Sequence, residues 1–334
     1  MSKQLTVVKK SPILVRTSER SSFLKCRQSW YWGWVELLRT QDQDSKLVFG
    51  DLVHQALAAY YKKGVKRGPL PAHTFELLCN EKLDEYQGRI WSEDEYVDMI
   101  ELGVTMLERY VDHWCEADKE YRIISSEQVF EVPIGRLNGR KVFYVGTIDG
   151  VWEHIPTNKI RFAEHKTAAS ISEDALPMDE QVGAYWTYGP RWLRLKGILK
   201  PGENLDGILY NWLRKAAPKP EDALDDFGRK LNKDGSISKR QPPKYFHRRN
   251  TQRGLAEAEA VKKRVWKQVR DMEEARNDME MIYKNPGPQF MPNCKFCSFR
   301  DMCELHETGN DFESFKTIYV TWSPYSAHER AERQ

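Results

Sequence analysis

An aspartate, and a glutamate followed two residues later by a lysine, are the side chains here best suited to chemistry. They lie in Gly146-Thr147-Ile148-Asp149-Gly150 and Phe162-Ala163-Glu164-His165-Lys166-Thr167. Alternation along a strand sends Glu164 and Lys166 to one face and His165 to the other. The turn signal Pro156-Thr157-Asn158 predicts an antiparallel hairpin, which can bring Asp149 beside Glu164. Carboxylate oxygens are hard ligands for Mg²⁺ or Mn²⁺, cations that polarise a phosphoryl group and acidify a bound water. A neighbouring lysine can orient or deprotonate that water and neutralise charge growing on the phosphate. The grouping suits phosphodiester hydrolysis. Its plainer reading is a solvated Glu164–Lys166 pair on an exposed strand face.

The elements that must hold these residues follow from hydrophobic periodicity. Helical spacing marks residues 18–38, 52–63, 94–114 and 180–188, and a long helix over 261–282 that ends at Pro286-Gly287-Pro288. Period two marks strands over 126–134, 141–152, 159–166 and 206–212. Helices, then strands, then helices predict an α/β or α+β core with helical additions. The chain has 334 residues and a net charge of +3, with 12% aromatic residues. That composition supports a sizeable core and excludes a disordered chain or a wholesale basic chromatin packer. No apolar run is long enough for a transmembrane helix, and the N-terminus lacks a secretory h-region. A soluble cytoplasmic protein is expected, bacterial or in a host cell if phage-encoded, with no membrane partner.

Three further residues change the weight of the short motif. His54, in Gly50-x-x-x-His54-x-x-Leu57, lies on a predicted helix upstream, and Gln181 and Tyr185 share one face of a helix downstream. In series with Gly146-x-Ile148-Asp149 and Glu164-x-Lys166, they resemble the RecB-type branch of the PD-(D/E)XK nuclease superfamily across residues 50–185. The resemblance implies a restriction-endonuclease-like mixed sheet flanked by helices. It implies that Asp149 and Glu164 bind the divalent metal, with His54 and the backbone carbonyl of His165 as further ligands. Lys166 becomes the catalytic lysine, with Gln181 and Tyr185 beside the DNA and the active site. His165 occupies a place where such families usually carry an apolar or small residue, so its face is expected to be less buried than normal.

Of six cysteines, Cys79 and Cys115 read as inert thiols, while Cys294-x2-Cys297-x5-Cys303 has a chelating spacing. A fourth thiolate is needed, and Cys26 is the best fit. Zinc is the runner-up metal, since it is more comfortable with two Cys-x2-Cys pairs. Nucleases of the resembled branch that carry an iron–sulfur cluster, among them CRISPR-adaptation nucleases and the AddB subunit of recombination complexes, place one cysteine before the core and three after it. The resemblance therefore implies a [4Fe–4S] cluster on Cys26, Cys294, Cys297 and Cys303 that ties the terminal segments over the core.

Between residues 229 and 253 nine basic residues face one acid. Arg229, Lys230, Lys239, Arg240, Lys244, Arg248 and Arg249 are candidate phosphate contacts, with Tyr245 and Phe246 able to stack on unpaired bases. A solvated loop is the competing reading. The expected organisation is a helical segment over 1–45, a nuclease core over 46–213, a basic loop or insertion over 214–254, and a long helix with the cysteine segment over 255–334. The expected function is a metal-dependent DNA exonuclease acting on linear ends in recombination, repair or phage DNA processing. No P-loop motif occurs, so any helicase partner is a separate polypeptide. The alternatives are a CRISPR-adaptation processing nuclease, a non-catalytic DNA-end-binding scaffold, and a zinc-binding regulator.

Overall fold

A computed structural model describes residues 11–41, 44–216, 229–241 and 243–329. The chain runs β1 (Ile13–Val15), α1 (Thr17–Lys25), α2 (Arg27–Trp30), a π-helical turn (Tyr31–Val35), β2 (Leu38–Thr40), α3 (Ser45–Tyr60), α4 (Pro71–Glu81), α5 (Leu83–Tyr86) and α6 (Glu93–Trp114). It continues through β3 (Tyr121–Leu137), β4 (Arg140–His154), β5 (Lys159–Ala168), α7 (Glu180–Leu195), β6 (Gly207–Arg214), β7 (Phe246–Thr251) and α8 (Leu255–Ala275). Near the end lie α9 (Arg300–Glu307) and β8 (Tyr319–Thr321). The mixed α/β architecture agrees with the fold class expected from the sequence.

A six-stranded sheet organises the molecule in the order β1-β4-β5-β6-β7, with β3 also paired to β4. β4 and β5 form the expected antiparallel hairpin, and β3 pairs antiparallel with the other side of β4; β5 and β6 are parallel, and β1 runs parallel to β4. Alternation along the strands feeds two cores. Phe162, Ile208 and Tyr210 pack under α7 and α8, while Ala163, Leu209 and Leu213 pack under α3, α4 and α6. A three-layer helix–sheet–helix arrangement results, which is how a mixed sheet buries both faces.

One edge of β4 is shared. β1 pairs with Val142–Tyr144, whereas β5 pairs only from Gly150 onward. The stretch between is split open, and its carbonyls need other partners. Tyr185 supplies one, its hydroxyl donating to the Thr147 carbonyl at 2.6 Å. A Cβ at Gly146 would come within 3.1 Å of that hydroxyl, so the glycine of the motif makes room for the tyrosine.

Several elements depart from the sequence expectation. The first helix breaks at Cys26, whose extended backbone separates α1 from α2. Helix α3 begins at an Asp44 cap that accepts from Lys46 N, several residues before Gly50. The expected basic loop contains β7, which pairs antiparallel with β6; part of that loop, residues 217–228 and 242, lies outside the described residues. Arginines on an edge strand blunt its pairing edge and at the same time mask its apolar period.

The terminal segments meet away from the sheet. β2 and β8 form a two-stranded antiparallel sheet, and Trp32 packs with Phe299 and Met302. Among the described residues, no helix is long and apolar enough to cross a membrane.

Candidate active site

Glu164 and Lys166 sit two residues apart on β5, facing α7. Lys166 Nζ lies 2.8 Å from Glu164 Oε1 and donates to Gln181 Oε1 at 3.2 Å. Gln181 Nε2 in turn donates to the Tyr185 hydroxyl at 3.2 Å. The start of α7 is fixed by Asp179, whose side chain accepts from the backbone N–H of Gln181 and Val182, each at 2.9 Å. A buried arginine of α1, Arg20, holds the same helix end through Glu180 at 2.7 Å.

Asp149 stands on β4 one residue before the Gly150–Ala163 pair, and therefore beside Glu164. Its Oδ2 accepts from the His165 backbone N–H at 2.6 Å, and its Oδ1 lies 3.3 Å from His54 Nδ1 on α3. The hairpin, the α3 histidine and the α7 pair thus converge, as the motif order implied.

The carboxylates outnumber the charges that face them. Burial and Asp149 push Glu164 up to about 7 even though Lys166 opposes the shift. Burial works against a charged His54, but Asp149, Glu164 and Glu127 outweigh it and hold the imidazole at about 9. Lys166 is likewise opposed by burial and held well above its usual range by Glu164. Asp149 is lowered: burial acts upward, and His54 with the His165 N–H overcomes it. Glu164 Oε2 is buried with no hydrogen-bond partner among the described residues. An orphaned carboxylate oxygen in a carboxylate-rich site is chemistry that fits a hard divalent cation.

His165 corrects one expectation. Its side chain is buried rather than more open, at 4% exposure. The ring stacks on Tyr61 with a 10° interplanar angle, and Nδ1 accepts from Asn211 Nδ2 at 2.8 Å. Burial, the leading cause, and the positive charges of His54, Arg248 and Lys166 push it down to about 3, so the ring is neutral. Its backbone positions Asp149 while its ring anchors β5 to the opposite core.

Glu127 was not recognised from the sequence. It lies on β3 between the Ser126–Gly150 and Gln128–Ile148 pairs, across from Asp149, with a φ of 46°. His54, Glu127 and Asp149 each offer a ligand atom, and these atoms lie within 4.8 Å of one another. Burial and Asp149 push Glu127 up to about 7.

These raised groups set a pH dependence. The stability that they contribute is complete at low pH; it is lost as pH rises through about 7 for Glu164 and Glu127, and through about 9 for His54. A cation must displace the same protons. Mg²⁺ or Mn²⁺ is therefore expected to raise the melting temperature more at about pH 8 than at about pH 5.5. Thermal melts of chelated and metal-loaded protein at both pH values measure this; an equal increment would contradict it.

The expected DNA contacts divide. Lys239, Arg240 and Lys244 are exposed, as are Arg229 and Lys230, while Arg249 pairs with Glu173 and stays half-exposed. Arg248 does not fit the expectation. Its side chain is 6% exposed and is ion-paired to Asp118, with hydrogen bonds to Tyr61, Tyr110 and Asn211. It supports the core beneath His165 and is removed from the candidate phosphate contacts.

Cys26, Cys294, Cys297 and Cys303 line a single cavity of about 480 Å³, together with Trp32 and Phe299. Burial and Cys26 push the Cys303 thiol up to about 11.

A split mixed sheet that sets an aspartate beside a Glu-x-Lys strand, with a histidine helix on one side and a Gln-x-x-x-Tyr helix on the other, defines a nuclease of the PD-(D/E)XK class. The chain belongs to the PD-(D/E)XK nuclease superfamily, whose family model matches residues 17–304. Members typically use Mg²⁺ or Mn²⁺ to hydrolyse nucleic acids. Comparison with curated proteins returns no match.

Proposed function

We propose that this protein is a metal-dependent DNA exonuclease that acts on linear ends. The observation that carries the reading is Lys166, held between Glu164 at 2.8 Å and Gln181 at 3.2 Å beside an unpartnered carboxylate oxygen. Asp149, Glu164, His54 and the His165 carbonyl would hold Mg²⁺ or Mn²⁺. Bound there, the cation supplies a polarised phosphoryl group and an acidified water. Lys166, kept charged by Glu164, orients the attacking water and neutralises charge on the phosphate, a role that its high pKa favours over that of a base. Gln181 fixes the ammonium, and Tyr185 fixes Gln181. In-line attack then leaves a 3′-hydroxyl and a 5′-phosphate. Lys239, Arg240 and Lys244 offer phosphate contacts, with Arg229, Lys230 and Arg249 alongside.

The preference for ends rests on the motif series of the RecB-type branch. Linear and covalently closed duplex and single-stranded DNA, digested with Mg²⁺ or Mn²⁺, test it directly. Release of nucleotides from labelled ends alone is expected. Cleavage of closed circles at the same rate would replace the exonuclease reading with an endonuclease one. Binding of ends without cleavage under any condition would favour the scaffold.

The four thiols are read as ligands of a [4Fe–4S] cluster, supported by their shared cavity and by the one-before, three-after order of the cysteines about the core. Protein purified anaerobically is expected to be brown and to contain iron and labile sulfide. Cys26→Ser is expected to lose most of both. A colourless protein containing zinc would sink this assignment. Because β2 and β8 also join the terminal segments, the serine variant should keep its sheet core and melt at a lower temperature.

A further inference from the structure

A groove of about 560 Å³ opens between α7, α8 and the end of β3. Arg191 and Arg194 of α7 and Lys262 and Lys263 of α8 line it, with Pro133 and Trp266 in its apolar part. All four cations are exposed, and Trp266 is half-buried. No carboxylate lines the groove among the described residues. Arg194 donates to Asn204 Oδ1 at 3.1 Å, and Lys262 pairs with Glu259 at 2.6 Å. Arg191 and Lys263 make neither a hydrogen bond nor an ion pair among the described residues. Four positive charges in one groove exceed the +3 of the whole chain, so the excess is local.

The ring in this groove has a prepared seat. A Cβ at Gly135 would come within 2.7 Å of two Trp266 ring carbons, so the absence of a side chain there makes room for the indole. Cations beside a seated aromatic ring match a single nucleic-acid strand, whose phosphates meet the charge and whose unpaired base meets the ring. An acidic peptide would use the charge and leave the ring unmatched. The position also fits. Arg191 lies ten residues beyond Gln181 on α7, about 15 Å along the helix. Pro133 pairs with Phe143, six residues before Asp149 on β4, about 20 Å along the strand. That distance from the active site spans roughly four to six phosphates at the spacing of a duplex strand.

We infer that the α7–α8 groove binds an unpaired strand of the DNA substrate remote from the scissile phosphate, with Arg191 and Lys263 on phosphates and Trp266 against a base. Arg194 and Lys262 add to the field that draws the strand in. The inference rests on the DNA-nuclease reading above and adds to it a contact site outside both the catalytic centre and the basic segment that precedes α8.

The test reads binding rather than turnover. Fluorescence anisotropy follows labelled dT20 and a 20-base-pair duplex on chelated protein at two salt concentrations. Arg191→Gln/Lys263→Gln is expected to weaken dT20 binding about tenfold and to lower its salt slope by about 1.4, two contacts at roughly 0.7 each for a single strand. Trp266→Leu leaves the net charge unchanged; it should weaken dT20 about tenfold as well and leave the duplex unaffected. Trp266→Phe keeps a ring and should restore most of the loss, which separates stacking from misfolding. Wild-type affinity and slope in the charge variant overturn the inference and leave the nuclease reading standing. A loss in the charge variant alone, with Trp266→Leu binding dT20 normally, overturns it as well and assigns the effect to the general surface field. Loss of binding to a labelled polyglutamate peptide, with dT20 binding retained, would replace the strand with an acidic protein partner. A wild-type protein that neither binds nor cleaves DNA overturns both readings.

Discussion

Lys166→Ala is expected to slow DNA cleavage by about 10²–10³-fold, the usual effect of removing one preorganised charge donor at a transition state. The substitution does more than delete a cation. Lys166 is the leading restraint, ahead of His54, on the upward shift of Glu164, which burial and Asp149 already bring to about 7. Without it, Glu164 titrates higher and is protonated at neutral pH, so its lone pairs are withdrawn from the cation. The residual activity of the variant should therefore climb with pH beyond the point at which wild type levels off. Lys166→Arg keeps a charge beside Glu164 and should restore the wild-type pH profile without restoring the full rate, because the guanidinium fork cannot reproduce a compact ammonium between Glu164 and Gln181. Single-turnover cleavage of end-labelled DNA across pH measures all three proteins. A wild-type rate in Lys166→Ala would remove the lysine from the chemistry, and a lowered rate with an unshifted profile would separate it from Glu164.

How much of this site could be read from the sequence depended on whether a residue obeyed the period of its element. Glu164 and Lys166 follow strand alternation, Gln181 and Tyr185 follow helical spacing, and the turn at Pro156 set the hairpin, so their convergence was legible. The short spacing of Cys294, Cys297 and Cys303 marked them as neighbours, and the structure sets them with Cys26 around one cavity. Glu127 departs from the rules: its left-handed backbone sets it apart from regular strand geometry, and no glycine advertises the conformation. A carboxylate within an otherwise alternating strand was the sole available signal. Residues 71–81 were missed as a helix although Pro71 sits at its first turn, because the segment is short and its apolar face is narrow. Arg248 was misread for a related reason. Charge in a run of cations looks solvated, and only the partners Asp118, Tyr61 and Tyr110, remote in sequence, show that it is buried.

That burial gives Arg248 a consequence opposite to the one its neighbours share. Arg248→Ala should cost about 3–5 kcal/mol of stability, the range for breaking a buried ion pair by removing one member. The loss leaves the buried Asp118 carboxylate without its cation, takes the donor from the hydroxyls of Tyr61 and Tyr110, and frees Asn211 Oδ1. It also removes the guanidinium stacked 4.2 Å from the Trp114 ring centroid. Because Asn211 holds His165, whose backbone holds Asp149, the damage reaches the active site through packing rather than through DNA. Lys239→Ala and Arg240→Ala should behave in reverse. As exposed side chains they should change stability by no more than about 0.5 kcal/mol. Each should weaken DNA binding and flatten its dependence on salt by about one phosphate contact. Urea melts and DNA titrations at two salt concentrations separate the two behaviours. An Arg248→Ala protein with wild-type stability and a flattened salt dependence would return the residue to the DNA interface. A destabilised variant whose folded fraction keeps the wild-type salt slope is what a buried structural cation predicts.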